Sequence, residues 1–205
     1  MGALHVAVTG RAMAVVERDG THDPATGRVL TGSWLWDSSL VLASHLAAAD
    51  SARFRLRGAT VLELGAGGTG LQGIAAVACL GAARCVLTDM RPLLPGLRAN
   101  ADANGLTAAQ GDVRELRWGD KLEHQLRVDV VLMSDVVYDP LDMPAMAATL
   151  RGLWREGREV RDSVQDCMDV LREHGFEVAE VERVTMPLLR DPDHTAAFAI
   201  YRVSL

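Results

Sequence analysis

The stretch VLELGAGGTGLQGI, from Val61 to Ile74, constrains this chain more than any other. A short apolar run, broken only by Glu63, stops at Gly65, and Gly67, Gly68, Gly70 and Gly73 follow. Glycine costs more to order in a strand or helix than any other residue, so crowding it here needs a cause. A buried strand over Val61–Leu64, a glycine turn and a small-residue helix over Leu71–Leu80 form the first half of a βαβ unit. Something must lie close to that turn.

The alternation continues downstream. Cys85–Thr88 reads as a strand ending at Asp89, and Leu93–Ala103 as a helix closed by Asn104-Gly105. Asn100 and Asn104 read as local backbone caps. Ala108–Leu116 holds a third, weaker strand, and Val128–Met133 a β-branched one followed by Ser134-Asp135. Apolar strands alternating with helices require a mostly parallel sheet covered on both faces, an α/β fold. Near the end, Phe176–Val184 and Ala196–Val203 read as two strands joined by TMPLLRDPDH. Upstream, His5–Thr9, Met13–Glu17 and Arg28–Thr31 read as a small β-hairpin lead-in. Asp37 or Ser38 is placed to cap a helix bearing Leu40, Val41, Ala43, Leu46 and Ala47. A chain of 205 residues suits one domain with an extension, here residues 32–205 preceded by a lead-in over 1–31.

Several function classes are disfavoured. No apolar stretch approaches the roughly 18 residues of a membrane helix. A net charge of -6 argues against non-specific nucleic-acid binding and suits a basic protein partner. The start, MGALHVAVTGRAM, lacks a signal-peptide layout, and Val6 stands where a myristoylation signal has Ser or Thr. Cys79, Cys85 and Cys167 form no CxxC pair and read as free thiols in a reducing compartment, which predicts a cytoplasmic protein. The six histidines contain no HxxxH pair, so no metal site is expected.

In open α/β sheets the ligand sits outside the carboxyl ends of the strands. The glycine turn after the first strand lets backbone N–H groups approach it. Asp89 ends the second strand about 20 residues on, where a carboxylate takes ribose hydroxyls. Nicotinamide dehydrogenases and S-adenosylmethionine methyltransferases share this pattern. Glu63, just before the first glycine, favours the second, because a carboxylate suits the cofactor's positive amino-acid end and would repel a pyrophosphate. No Ser-Tyr-Lys or His-centred hydride site is visible.

The segments GSWLWDSSLVLASHL, VLELGAGGTGLQGI, VLTDMRPLLPGLRANADANGL, LRWGD and VDVVLMSDVVYDP occur in that order. As a set, over about Gly32 to Pro140, they resemble the protein-lysine methyltransferases of the methyltransferase-like family. The resemblance implies a Rossmann-like, seven-strand fold with antiparallel C-terminal strands and S-adenosylmethionine as cofactor, leaving S-adenosylhomocysteine as product. It further implies a protein substrate, without nucleic acid or membrane, and a monomer is expected. Trp36 matches the tryptophan that touches the cofactor; Gly65, Ala66 and Gly67 match the turn under its methionine portion; Asp89 matches the ribose acid. Trp118 matches a tryptophan flanking the adenine, and Ser134 the small residue beside the cofactor. Asp135 and Tyr138 match an Asp-x-x-Tyr motif at the methyl-acceptor mouth and are the expected catalytic pair.

Read without the resemblance, Trp36 fits equally as a core plug, Trp118 as a lid on the third strand and Asp135 as a cap for the helix near Met143–Leu150. The glycine turn is one residue longer than the family's. No apolar run follows that helix where a fifth strand belongs: LRGLWREGREVRDSVQDCMDVLREHGF shows only a helical pattern at Val164, Met168 and Leu171. Two repairs are open, a short strand at Arg158–Val160 or direct pairing of Ala196–Val203 with the fourth strand; REGREV is charged and contains Gly157, so the expectation is a six-strand sheet, with Ala196–Val203 antiparallel to Val128–Met133. The missing strand and the altered turn motivate a second reading, a binding protein that kept the fold and lost catalysis. Methylation of a protein histidine or a small molecule is a third.

Overall fold

Period-two alternation along the central strands decides how the layers assemble. The computed structural model describes residues 3–24, 26–48, 54–120, 127–136, 139, 141–153, 159–162 (backbone only) and 168–205. Its strands are β1 (Ala3–Val8), β2 (Arg11–Val16), β3 (Thr60–Leu64), β4 (Arg84–Asp89), β5 (Gly111–Glu115), β6 (Val130–Met133), β7 (Glu159–Asp162), β8 (Glu177–Pro187) and β9 (Thr195–Ser204). Its helices are α1 (Asp37–Ala48), α2 (Leu71–Ala78), α3 (Leu94–Ala103), α4 (Met143–Leu153) and α5 (Met168–Glu173). Val61 pairs with Cys85 and with Val130, so these residues share one face of the sheet. With Leu87 and Leu132 they pack against α1, α2 and α3, and Val8, Met13 and Val15 of the hairpin join the same core. Leu62, Leu64, Val86, Val131 and Met133 point the other way, onto Met143, Met146 and Leu150 of α4 and Met168 and Leu171 of α5. A strand buried on both faces has no polar side to alternate with, which is why these segments read as apolar runs.

The sheet has seven strands in the order β5-β4-β3-β6-β7-β9-β8. The first five of these are parallel, and β9 runs antiparallel to both β7 and β8. The expected six-strand sheet is thus wrong. Val160 of β7 sits opposite Val131 on one side and Val203 on the other, so β9 does not touch β6 directly. The reason is that a ladder is made of backbone groups. Leaving β6 with an open edge would orphan buried N–H and C=O groups at about 1–3 kcal/mol each. Four residues of charged sequence, EVRD, suffice to close it.

Smaller differences follow the same logic. The hairpin β1–β2 turns through Thr9-Gly10, but the third lead-in segment forms only a single bridge, His22 to Val29. Neither proposed cap caps α1 through its side chain: Asp37 Oδ1 accepts the Leu189 N–H at 2.6 Å, and the Ser38 hydroxyl is buried without a partner among the described residues. Asn104-Gly105 does end α3 as expected, with Gly105 N–H donating to the Asp102 carbonyl. No helix among the described residues is long and apolar enough to cross a membrane.

Candidate active site

The glycine turn lies at the carboxyl end of β3, between the ends of β4 and β6. Gly67 has φ +64, and a Cβ there would overlap the Gly32 carbonyl oxygen. Gly65 has φ +71, and its Cβ would collide with Val136 Cγ1. On these sides, then, the atoms that exclude side chains belong to the chain itself. Gly68, the extra residue, differs: a Cβ there would meet nothing closer than 3.6 Å. The turn is held by its own N–H groups. Ala66 donates to Thr88 O at 2.9 Å, Gly67 to Asp89 Oδ2 at 2.7 Å and Gly68 to Gly32 O at 2.7 Å.

Asp89 is half-buried at the end of β4. Its second oxygen accepts the Met90 N–H at 2.7 Å. Burial raises its pKa from the ordinary carboxylate value, and the Met90 and Gly67 N–H groups oppose that rise. A carboxylate offers about four lone-pair sites. Two are used by the backbone, which leaves capacity for the two hydroxyls of a ribose.

Glu63 faces the α2 side of the sheet and is buried. Its Oε2 accepts the Gly73 N–H at 2.8 Å, in the first turn of α2. Burial pushes its pKa up to about 8; the Gly73 bond lowers it and the nearby Asp89 charge raises it. The carboxyl therefore lies beneath the first turn of the helix that follows the glycines.

Across the turn, β6 ends at Met133, opposite Leu64. The Ser134 hydroxyl is buried and has no partner among the described residues. Asp135 has φ +54, a strained left-handed conformation for a residue with a Cβ. It is half-buried, burial raises its pKa, and no cation balances it among the described residues. Its neighbour Val136 is the residue against Gly65, so the strained corner and the glycine turn are in contact. Tyr138, the other half of the expected motif, lies outside the described residues.

The two tryptophans occupy different faces. Trp36 precedes α1, is 42% exposed, and donates its indole N–H to Thr31 O at 3.2 Å. It is no core plug. Trp118 is partly buried against the α4-side core, in a turn where Gly119 N–H donates to Thr149 Oγ1 at 2.8 Å. That turn is tied back to β4, since Leu116 N–H donates to Asp89 O at 3.0 Å. Thus Gly65–Gly67, Asp89, Ser134 and Asp135 cluster at the carboxyl ends of β3, β4 and β6, with Trp118 linked through Leu116. The donors and acceptors present fit the adenosyl cofactor that the sequence resemblance implies: a carboxylate with spare lone pairs, a close-approach backbone and an unpartnered hydroxyl. Among the described residues, no group of three or more His, Cys, Asp or Glu is placed to hold a metal.

Sequence reasoning missed Asn100, which it took for a local cap. Asn100 is fully buried, and its Nδ2 donates to Gly68 O, on the turn itself, at 2.8 Å. Two asparagines four apart share one helix face, but nothing local to them points to Val16 or Gly68.

Comparison with known proteins shows the family and the fold. A family pattern described as lysine methyltransferase matches residues 25–165. The chain is 39% identical to protein N-lysine methyltransferase METTL21A of Danio rerio, over 58% of this chain and 54% of that protein. It is 32% identical to histone-arginine methyltransferase METTL23 of Mus musculus, over 75% of this chain and 59% of that protein. The chain spans about half the length of the METTL21A relatives it matches. The tRNA methyltransferase TrmK of B. subtilis shares the fold, with a TM-score of 0.57 at 10% identity, over 83% of this chain and 66% of that one. With the family pattern covering more than half of its residues, this chain belongs to the lysine methyltransferase family.

Proposed function

We propose that this chain is an S-adenosylmethionine-dependent protein methyltransferase that acts on a lysine side chain. The observation that carries the reading is the 2.7 Å bond from Gly67 N–H to Asp89 Oδ2, which binds the glycine turn and the ribose acid into one unit. When bound, S-adenosylmethionine supplies a methyl group already activated on a sulfonium. Asp89 accepts ribose hydroxyls on the lone pairs that Gly67 and Met90 leave. Gly65, Ala66 and Gly67 set the path of the turn along which the methionine portion lies, and Glu63, protonated at neutral pH, supports that turn from beneath the start of α2. Trp36 and Trp118 flank the cofactor from two sides, and the Ser134 hydroxyl takes a cofactor polar group as its partner.

Asp135 orients the incoming lysine ammonium, and Tyr138 narrows the channel it enters. The amine must lose its proton to attack; a partly dry channel favours that loss, with water as the acceptor. Holding the nitrogen in line is worth several kcal/mol by positioning alone. The acceptor is a protein, the chain acts as a cytoplasmic monomer, and nucleic acid and membrane play no part. Lysine is supported by the family and by METTL21A; METTL23 makes arginine the competing outcome to be scored. A fold that lost catalysis had two motives, a missing strand and a lengthened glycine turn; β7 supplies the strand, and only the longer turn still argues for that reading.

Calorimetry with S-adenosylhomocysteine and NAD tests the reading. Saturable binding of the first only is expected, with Asp89→Ala abolishing it. Binding that survives Asp89→Ala, or a preference for NAD, contradicts it.

A further inference from the structure

The N-terminal hairpin is fastened to α3 by two side chains. Asn100 Oδ1 accepts the Val16 N–H at 2.7 Å, and its Nδ2 donates to Val16 O at 2.9 Å. One helical turn on, Asn104 Oδ1 accepts the Ala14 N–H at 3.0 Å, and its Nδ2 donates to Ala14 O at 2.7 Å. The spacings agree: four helical residues rise about 6 Å, and two strand residues about 6.6–6.8 Å. The two carboxamides therefore stand in for a neighbouring strand and close the outer edge of β2.

The two asparagines differ in what else they hold. Asn104 Nδ2 returns to its own helix, at Asn100 O. Besides Val16 O, Asn100 Nδ2 reaches Gly68 O in the glycine turn at 2.8 Å and, sharing one of its two hydrogens, Gly96 O at 3.2 Å. Gly68 is gripped from its other side as well, because its N–H donates to Gly32 O. Gly32 is in turn reached from the end of the hairpin, through Arg18 N–H to the adjacent Ser33 O at 3.4 Å.

We propose that Asn100 is a positioning residue for the cofactor site and that the N-terminal hairpin is a working part of that site. Asn100 fixes the Gly68 peptide, hence the path of the turn, and the hairpin fixes Asn100. This deepens the proposed methyl transfer and rests on it for the cofactor's identity.

Asn104→Ala is the matched control, since it loses as many hairpin bonds but none to the turn. Amide hydrogen exchange on the free protein reads the turn without any ligand. Asn100→Ala is expected to speed exchange at Gly67–Gly70 and to weaken S-adenosylhomocysteine binding roughly tenfold, the equivalent of one buried hydrogen bond lost. Asn104→Ala is expected to loosen the hairpin at Ala14 and, because Asn100 keeps its own bonds to Val16 and Gly68, to speed exchange in the turn less than Asn100→Ala does. Val16→Pro, should Asn100→Ala not fold, removes the N–H that Asn100 accepts while also constraining the strand there, and it too is expected to speed exchange in the turn. In turnover, Asn100→Ala raises KM for S-adenosylmethionine and leaves KM for the acceptor unchanged. Equal exchange in the turn for the two alanine variants, or an unchanged turn in Val16→Pro, overturns the inference. Changed exchange in a protein that binds no S-adenosylhomocysteine would uphold the coupling and overturn the cofactor reading instead.

Discussion

At the scale of single residues, the glycine turn separates conformational need from mere proximity. Gly67 combines φ +64 with a Cβ position already filled by Gly32 O, while Gly68 has neither restriction. Gly67→Ala is therefore expected to destabilise the protein by several kcal/mol, from backbone strain together with forced displacement of Gly32. Gly68→Ala is expected to stay within about 1 kcal/mol. Thermal unfolding of the pair checks this, and equal losses would show that the turn is seated differently. That glycine is required after the buried strand was legible in the sequence, being a local property; that Gly32 and Val136 fill the Cβ positions was not. Asp89, at the end of the next strand, was legible too. Asn100 was not legible, since its partners Val16 and Gly68 lie 84 and 32 residues away. Nor was the left-handed backbone at Asp135, since most Asp residues have φ below zero and nothing in the local sequence requires otherwise.

At the scale of elements, apolar runs and helical periods located the central strands and the helices. β7 was set aside because the segment around Arg158–Val160 is charged and carries no apolar run, yet a ladder asks only for backbone donors and acceptors. A proline at Val160 tests its place. Val160 lies between Val131 and Val203, inside the sheet, where proline removes a donor and cannot be accommodated as on an edge. Val160→Pro is expected to cost at least about 2 kcal/mol of stability in a denaturant titration. A loss below about 0.5 kcal/mol, the surface value, would restore the six-strand sheet. The third lead-in segment was misread in the opposite sense: Arg28–Thr31 has strand-like composition but finds no ladder beyond one bridge.

At the scale of the whole molecule, the buried acid beneath α2 shapes stability against pH. Glu63 has an ordinary value of 4.5 and is pushed up to about 8 when folded. Between those values the folded protein holds a proton that the unfolded chain has released. Stability is therefore greatest at the acid end of this window and falls as pH rises, by up to about 1.4 kcal/mol per pH unit for one group. Asp89 and Asp135, also raised by burial, act in the same direction. Glu63→Gln keeps an acceptor for Gly73 N–H and removes the titration. It is expected to flatten the fall and to leave the variant more stable than the parent at pH 8. An unchanged slope would mean that Glu63 is ionised throughout. The central claim, transfer of a methyl group to a protein lysine, is tested most directly by incubating the protein with methyl-labelled S-adenosylmethionine and cell extract, then locating the label by mass spectrometry. The account predicts label on a lysine Nζ, sharply reduced in Asp135→Ala although that variant still binds S-adenosylhomocysteine. Label on arginine, or none from a protein that binds the cofactor, would contradict it.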